Sequence, residues 1–432
     1  MNRRRWVPAL AVGVCLALPP GAIPAERSGN GRPSVQDVGR RYSRGISHAK
    51  AEPSTALRWQ PLVGMDAQLF PSFIVSTATL RLPQEDDAEA DPRQLGEPLG
   101  FIGAALDGVP SGSRLRVEVK ANAAMESSVV EVRAGAGSGE YEVYPKINFK
   151  YDALLDWRQP MPLNVAMEVF VDGRSLGTQS TTVTVRSIND CPLAIVSEDQ
   201  DEEDLDLSWM FAAYVNENHP WVDTLTREAL DAKVVDAFAA YQADDPAEVI
   251  RQVYAIWDVL QRRGMRYSDI SQSSAESPVV LSQHVRLFDE ALQAHQANCV
   301  DGTAMFAAVL RKIGIEPYLV LMPGHMFLAF DLDRDGEESL GLETTMMGSA
   351  AATDAARSLV MPDALVRQFR GRTSFASFAA AIEEGTRQLD EHMDDFDGDD
   401  PEYQVISLSE ARQMGILPLA FRKPGEAAPI RR

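Results

Sequence analysis

Three residues with side chains suited to acyl transfer follow one another along the chain: Cys299, His325 and Glu343. A thiolate is a strong nucleophile, an imidazole can take a proton and return it, and a carboxylate fixes the tautomer and orientation of the imidazole. If the three share one crevice, they would hydrolyse or transfer an acyl group through a thioester. The same side-chain types also bind zinc, so a Cys-His-Glu metal site is an alternative.

The residues around Cys299 predict a helix that begins at the cysteine. Asn298 is a favourable N-cap, and Asp301 adds a negative charge to the first turn. Apolar residues then recur at helical spacing as far as Gly314, a common C-terminal stop. They are Met305, Phe306, Val309, Leu310 and Ile313. Because Cys299 lies on the same side as this apolar stripe, we expect its sulfur to face a sheet.

Strands are predicted after this helix. Residues 318–322 and 325–332 are apolar runs separated by Pro323-Gly324, and a turn at 333–336 leads into a third run at 339–345. Side chains alternate along a strand, and an odd-length hairpin loop places His325 and Glu343 on the same face of the sheet. We expect that face to meet Cys299.

These pieces resemble the transglutaminase-like cysteine hydrolase superfamily, which has a papain-like thiol hydrolase fold. The matching segments are NCVDGTAMFAAVLRKIGI, LVLMPGHMFLAF and LETT, within a region of about 208–348. The resemblance implies that Cys299 is the nucleophile, His325 the base and Glu343 the orienting acid, a position where Asp is commoner. It implies no metal and no organic cofactor.

The resemblance also implies a side-chain donor for the oxyanion. In related thiol hydrolases a glutamine joins the backbone N–H of the nucleophile in this role. Gln283, on the approach to the Cys299 helix, is the candidate, and Gln296 is the alternative.

Length and charge limit the architecture and the partners. A chain of 432 residues with 45% hydrophobic residues predicts two folded units. A net charge of -22 disfavours nucleic acid and anionic membrane surfaces as partners. We expect a protein or peptide-like substrate in the cell envelope.

The N-terminal residues 1–25 have the arginines, apolar run and small-residue cleavage site of a secretory signal peptide. We therefore expect a periplasmic or extracellular protein with no stable membrane insertion after signal removal; an uncleaved anchor is the alternative. Signal removal takes Cys15 and leaves Cys191 and Cys299. A disulfide between those two would silence the nucleophile, although a helix-start cysteine facing a sheet is poorly placed for it.

The fold class expected is α+β, with an all-β sandwich followed by a transglutaminase-like domain in which the Cys299 helix packs on an antiparallel sheet. Short runs with alternating apolar residues predict the sandwich, and Asp172-Gly173 predicts a hairpin. The expected segments are a signal peptide (1–25), a disordered lead-in (26–56), the β-sandwich (57–190), an acidic linker (191–207), the transglutaminase-like domain (208–423) and a tail (424–432).

The function expected is thiol-dependent acyl transfer or hydrolysis of amide bonds. The alternative is a catalytically inactive transglutaminase-like module that acts in binding or envelope assembly. The reactivity of the Cys299 thiol distinguishes the two, because a buried structural cysteine lacks thiolate character.

Overall fold

The computed structural model describes residues 56–80, 91–98, 100–136, 139–197, 204–269, 277–349, 361–398 and 400–420. The segments expected to be a signal peptide (1–25) and a tail (424–432), nearly all of the expected lead-in and the middle of the expected acidic linker lie outside these ranges. The described chain is mixed α+β with several sheets. None of its described helices is long and apolar enough to cross a membrane.

The strands are numbered in chain order. They are β1 (Arg58–Val63), β2 (Gln68–Leu69), β3 (Gln94–Gly96), β4 (Ile102–Asp107), β5 (Arg114–Val119), β6 (Ser128–Arg133), β7 (Tyr141–Tyr144), β8 (Met161–Val171), β9 (Arg174–Val185), β10 (Asp190–Ile195), β11 (Leu205–Asp206), β12 (Arg266–Tyr267), β13 (Val280–His284), β14 (Gln296–Ala297), β15 (Pro317–Met322), β16 (His325–Asp331), β17 (Ser339–Leu342) and β18 (Gln404–Ser407).

The α-helices are numbered in the same way. They are α1 (Pro71–Ser76), α2 (Tyr151–Leu155), α3 (Pro220–Asp231), α4 (Pro246–Arg262), α5 (Phe288–Ala294), α6 (Cys299–Ile313), α7 (Asp363–Phe369), α8 (Thr373–Glu391), α9 (Met393–Phe396) and α10 (Leu408–Gln413). Ser208–Tyr214 and Thr344–Met346 are 3-10 helices, and Gly64–Ala67 is a turn with positive φ at Met65 and Asp66.

The described chain divides into two compact units. The N-terminal unit contains the described residues up to 210 together with 277–284, and the C-terminal unit contains 211–269 and 285–420. This division departs from the expected boundaries, because β13 belongs to the N-terminal unit although the sequence placed it in the domain that follows.

The N-terminal unit contains a four-stranded sheet, β1-β4-β7-β3, and a five-stranded sheet, β2-β9-β8-β5-β6. Alternating apolar residues bury one side of a strand, as Leu115, Val117 and Val119 do in β5. The predicted hairpin at Asp172-Gly173 is confirmed: both residues have positive φ, 51° and 82°, and they join β8 to β9 in a tight turn.

The segment expected to be an acidic linker differs from that expectation at both ends. β10 and β11 pair with each other, and β10 also pairs with β13. Cys191, Ile195 and Leu205 are buried there. The charge run indicated an exposed linker, but the apolar residues on either side of it favour strand pairing because they can be buried in a sheet.

The C-terminal unit is built on the antiparallel sheet β17-β16-β15-β18. Both α6 and α8 pack on this sheet. Tyr318, Val320, Phe327 and Ala329 of the sheet form one apolar cluster with Leu389 of α8 and Phe396 of α9. This packing orients the edge of β16 and β17 that carries His325 and Glu343.

Candidate active site

The predicted start of the Cys299 helix is confirmed. The side chain of Asn298 accepts the N–H of Asp301 at 2.8 Å, and the Asp301 carboxylate accepts the N–H of Asn298 at 3.2 Å. The helix ends at Gly314, whose φ of 85° requires the left-handed region that glycine tolerates best. Cys299 is therefore the first helical residue, and it is partly exposed.

A buried ion pair holds this first turn. Asp301 accepts the backbone N–H of Arg286 at 2.8 Å and its guanidinium at 2.7 Å. The Asp301 side chain is inaccessible to solvent. The same carboxylate also accepts the N–H of Asn298. It therefore connects Arg286, just before α5, to the start of α6, and this connection fixes the position of Cys299.

Glu343 lies directly against His325, as the strand pattern predicted. Leu342 pairs with Leu328 across β17 and β16, so the next residue falls at the same end of the sheet as the start of β16. Nε2 of His325 lies 2.7 Å from Oε2 of Glu343. The Cys299 side chain is close enough to the imidazole to favour its protonated form. Because Glu343 occupies Nε2, Nδ1 is the ring nitrogen left for the sulfur.

The electrostatics of the trio favour a charged imidazolium. Burial opposes the positive charge, but the interactions with Cys299 and Glu343 outweigh it and raise the pKa of His325 to about 10. Burial also opposes the charge of Glu343, yet the contacts with His325 and Thr345 hold the pKa of Glu343 below its usual value. An imidazolium beside a thiol stabilises the thiolate, the form that attacks a carbonyl.

Two further residues hold the carboxylate of Glu343. Thr345 donates its N–H at 2.9 Å and its hydroxyl at 2.5 Å to Oε1 of Glu343. Gln388 of α8 donates Nε2 to Oε2 at 3.3 Å. Thr345 lay within the LETT segment and was a local candidate for a bond to the acid. No local pattern in the sequence signals that Gln388 docks on the site.

The strand end that bears Glu343 also touches the Cys299 helix. Oγ1 of Thr303 lies 3.3 Å from Oγ1 of Thr344. A Cβ added to Gly302 would lie 3.0 Å from that same Thr344 oxygen. Glycine at 302 therefore permits the close approach that brings the acid-bearing strand to the nucleophile helix.

The oxyanion site can be built from backbone donors. Asn298 takes the N–H of Asp301 through its side chain and the N–H of Gly302 through its carbonyl. The remaining first-turn amides, those of Cys299 and Val300, have no intrahelical acceptor because the helix begins there. Both are therefore available to a developing negative charge next to the sulfur.

Gln283 is not among the residues of the C-terminal unit. It lies in β13 of the N-terminal unit, where it is opposite Cys191 of β10. Gln296, the alternative, lies in β14 of the C-terminal unit, which pairs in parallel with β12 just before α6. Of the residues that the sequence singled out, the structure brings together Cys299, His325 and Glu343.

Both described cysteines are free thiols. Cys191 is fully buried, and burial raises the pKa of its thiol well above the ordinary value. Within the described ranges, no group of three or more His, Cys, Asp or Glu side chains is arranged to hold a metal ion.

Comparisons with known proteins give no relative. No protein-family model matches the chain, and searches of curated proteins and of solved structures find no significant match.

Proposed function

We propose that this chain is a thiol-dependent hydrolase or acyltransferase that acts on amide bonds through Cys299, His325 and Glu343. The observation that carries the proposal is the contact of Nε2 of His325 with Glu343 at 2.7 Å, on an imidazole whose pKa is also raised by the nearby Cys299. This arrangement is the one that nucleophilic acyl transfer requires.

The proposed reaction has two halves. The Cys299 thiolate attacks the carbonyl carbon of an amide, and the amides of Cys299 and Val300 hold the resulting oxyanion. The His325 imidazolium gives its proton to the leaving nitrogen, the C–N bond breaks, and a thioester remains on Cys299. Neutral His325 then takes a proton from water or from an acceptor amine as that nucleophile attacks the thioester. The thiolate leaves and the imidazolium is restored.

Glu343 supports both halves without reacting. It accepts from Nε2, which leaves Nδ1 for the sulfur, and its charge stabilises the imidazolium. Thr345 fixes one carboxylate oxygen, which leaves the other for His325. Because Glu343 is almost fully buried, its interaction with the imidazole is little screened by water.

The wider architecture of the proposal follows from the sequence. We assign the C-terminal unit to the transglutaminase-like cysteine hydrolases, supported by the order helix, histidine strand and acid strand. We assign the two larger N-terminal sheets to a β-sandwich. The signal-like residues 1–25 support export to the periplasm or the extracellular space, and the net charge of -22 supports a protein or peptide-like substrate rather than nucleic acid.

The proposal is tested by trapping the thioester. The purified protein is mixed with p-nitrophenyl acetate, quenched in acid, digested and mapped by mass spectrometry. We expect acetylation at Cys299 in the wild type and in Cys191→Ser, with a burst of nitrophenolate, and neither in Cys299→Ser. If Cys299 is acetylated no faster in the folded than in the unfolded protein, the proposed enzymatic function is wrong. The alternative, a catalytically inactive binding module, is then favoured.

A further inference from the structure

The side-chain amide of Gln388 joins two carboxylates near the imidazole. Its Nε2 donates to Oε2 of Glu343 at 3.3 Å and to Oε1 of Glu384 at 3.0 Å. Glu384 is one helical turn before Gln388 in α8, so the two side chains lie on the same face of that helix. Each of the two amide hydrogens is therefore donated to a different carboxylate.

The orientation of this amide is fixed by charge. Gln388 is only 8% exposed, and its Oε1 is buried without a hydrogen-bond partner among the described residues. Turning the amide over would give Oε1 no donor and would place it against two carboxylate oxygens, which repel it. That repulsion, together with the loss of both N–H donors, makes the observed orientation the favoured one.

Glu384 stays charged and so keeps the amide in place. Arg387 bonds it at 2.5 Å, and that hydrogen bond, with a further one from Gln388, holds the pKa of Glu384 below its usual value despite burial. The positive charge of His325 acts on Glu384 in the same direction. Glu384 thus holds one N–H of the Gln388 amide, and the other N–H donates to Glu343.

We propose that Gln388 is a positioning residue of the acyl-transfer site: its amide, anchored by Glu384, keeps Oε2 of Glu343 directed at Nε2 of His325. The inference rests on the proposed function. Thr345 holds one oxygen of Glu343 and Gln388 steadies the other, so the carboxylate is restrained at both oxygens. Without the amide donor, the charged form of Glu343 loses one of its hydrogen bonds and is protonated more readily.

The test compares Gln388→Met, which removes both donors at similar volume, with Gln252→Met. Gln252 is a matched control because it is also buried and hydrogen-bonded, but to the backbone of Ala239 and Ala240. Gln388→Leu removes the same donors with a smaller side chain and serves if Gln388→Met does not fold. Circular dichroism establishes which variants are folded.

Two readouts separate this inference from the proposed function. NMR of histidine-labelled protein follows the His325 ring, which senses protonation of Glu343 at the acid end of the titration. The second readout is the acetylation rate of Cys299 with p-nitrophenyl acetate. We expect Gln388→Met to move the acid inflection to higher pH and to lower the acetylation rate about tenfold with unchanged KM. Gln252→Met should change neither.

The outcomes are distinct. An unmoved acid inflection in folded Gln388→Met or Gln388→Leu overturns the positioning role, whether or not Cys299 is acetylated. A moved inflection in a protein whose wild-type Cys299 is never acetylated supports the positioning of Glu343 and overturns the acyl-transfer function instead.

Discussion

Gly385 of α8 lies against Gly341 of β17 so closely that a Cβ added to Gly341 would stand 2.1 Å from the carbonyl carbon of Gly385. The N–H of Glu343 donates to the carbonyl of Ala381 in the same helix at 2.9 Å. α8 therefore packs directly against the backbone of β17. The position of Glu343 depends on Gly341 and Gly385, because neither has a side chain that would keep the two elements apart.

Replacing Gly385 with Ala should destabilise the C-terminal unit. In an ordinary helix interior this change stabilises by up to about 1 kcal/mol. Here the new Cβ would lie 2.5 Å from the backbone nitrogen of Leu342, and overpacking of this kind costs about 1–3 kcal/mol. We expect a net loss of stability in urea denaturation and slower acetylation of Cys299, because Glu343 is displaced.

Gly135→Ala is the control for that substitution. The nearest atom to its added Cβ would be 3.9 Å away, so its effect should stay within about 0.5 kcal/mol. Stabilisation by Gly385→Ala would show that the helix does not hold the strand this closely.

Removing the charge of Glu343 should change the titration of His325. In Glu343→Gln the shape is retained, but the carboxylate that favours the imidazolium is lost. The pKa of His325 should then fall from about 10 toward its ordinary 6.5, and acetylation of Cys299 should slow by about 10²–10⁴-fold, as for loss of the acid in a triad. Histidine NMR and burst kinetics measure the two effects.

Glu383→Gln, also on α8, is the control for charge alone. It should leave both the titration and the kinetics near wild type. A His325 titration that is the same in Glu343→Gln as in wild type would remove Glu343 from the site.

The ion pair between His325 and Glu343 makes stability depend on pH in a defined direction. The pKa of His325 is raised on folding, so its contribution is complete below about pH 6.5 and is lost as the pH rises through about 10. The pKa of Glu343 is lowered from 4.5, so its contribution is present above that pH and is lost as the pH falls. Both contributions are therefore complete between about pH 4.5 and about pH 6.5.

This window can be measured by urea denaturation of wild type and of His325→Gln/Glu343→Gln at several pH values. The difference in unfolding free energy should be largest near pH 5.5 and should shrink steadily toward pH 10, by at most about 1.4 kcal/mol per pH unit for one proton. A difference that grows with rising pH would contradict a raised pKa for His325.

The sequence predicted the parts of the site that depend on local signals. Asn298, Asp301 and Gly314 mark the ends of α6 because capping involves residues only a few positions apart. The alternation of apolar residues put His325 and Glu343 on the same face of the sheet, in agreement with the pairing of Leu328 with Leu342.

The remaining parts depend on contacts between residues far apart in the chain. Gln388 reaches Glu343 only because Gly341 and Gly385 let α8 approach β17, and no local pattern signals that docking. The pairing of Gln283 with Cys191 also joins residues far apart in the chain, and no local pattern signals which unit β13 joins.

The most direct test of the account is the alkylation rate of Cys299 by iodoacetamide as a function of pH. Peptide mapping resolves Cys299 from Cys191, which serves as an internal reference because it is fully buried. We expect Cys299 to be alkylated rapidly near neutral pH in wild type and at least about tenfold more slowly in His325→Ala, since the imidazolium that stabilises the thiolate is gone. A Cys299 that reacts as slowly as Cys191, at a rate unchanged by His325→Ala, would contradict a thiol activated by His325.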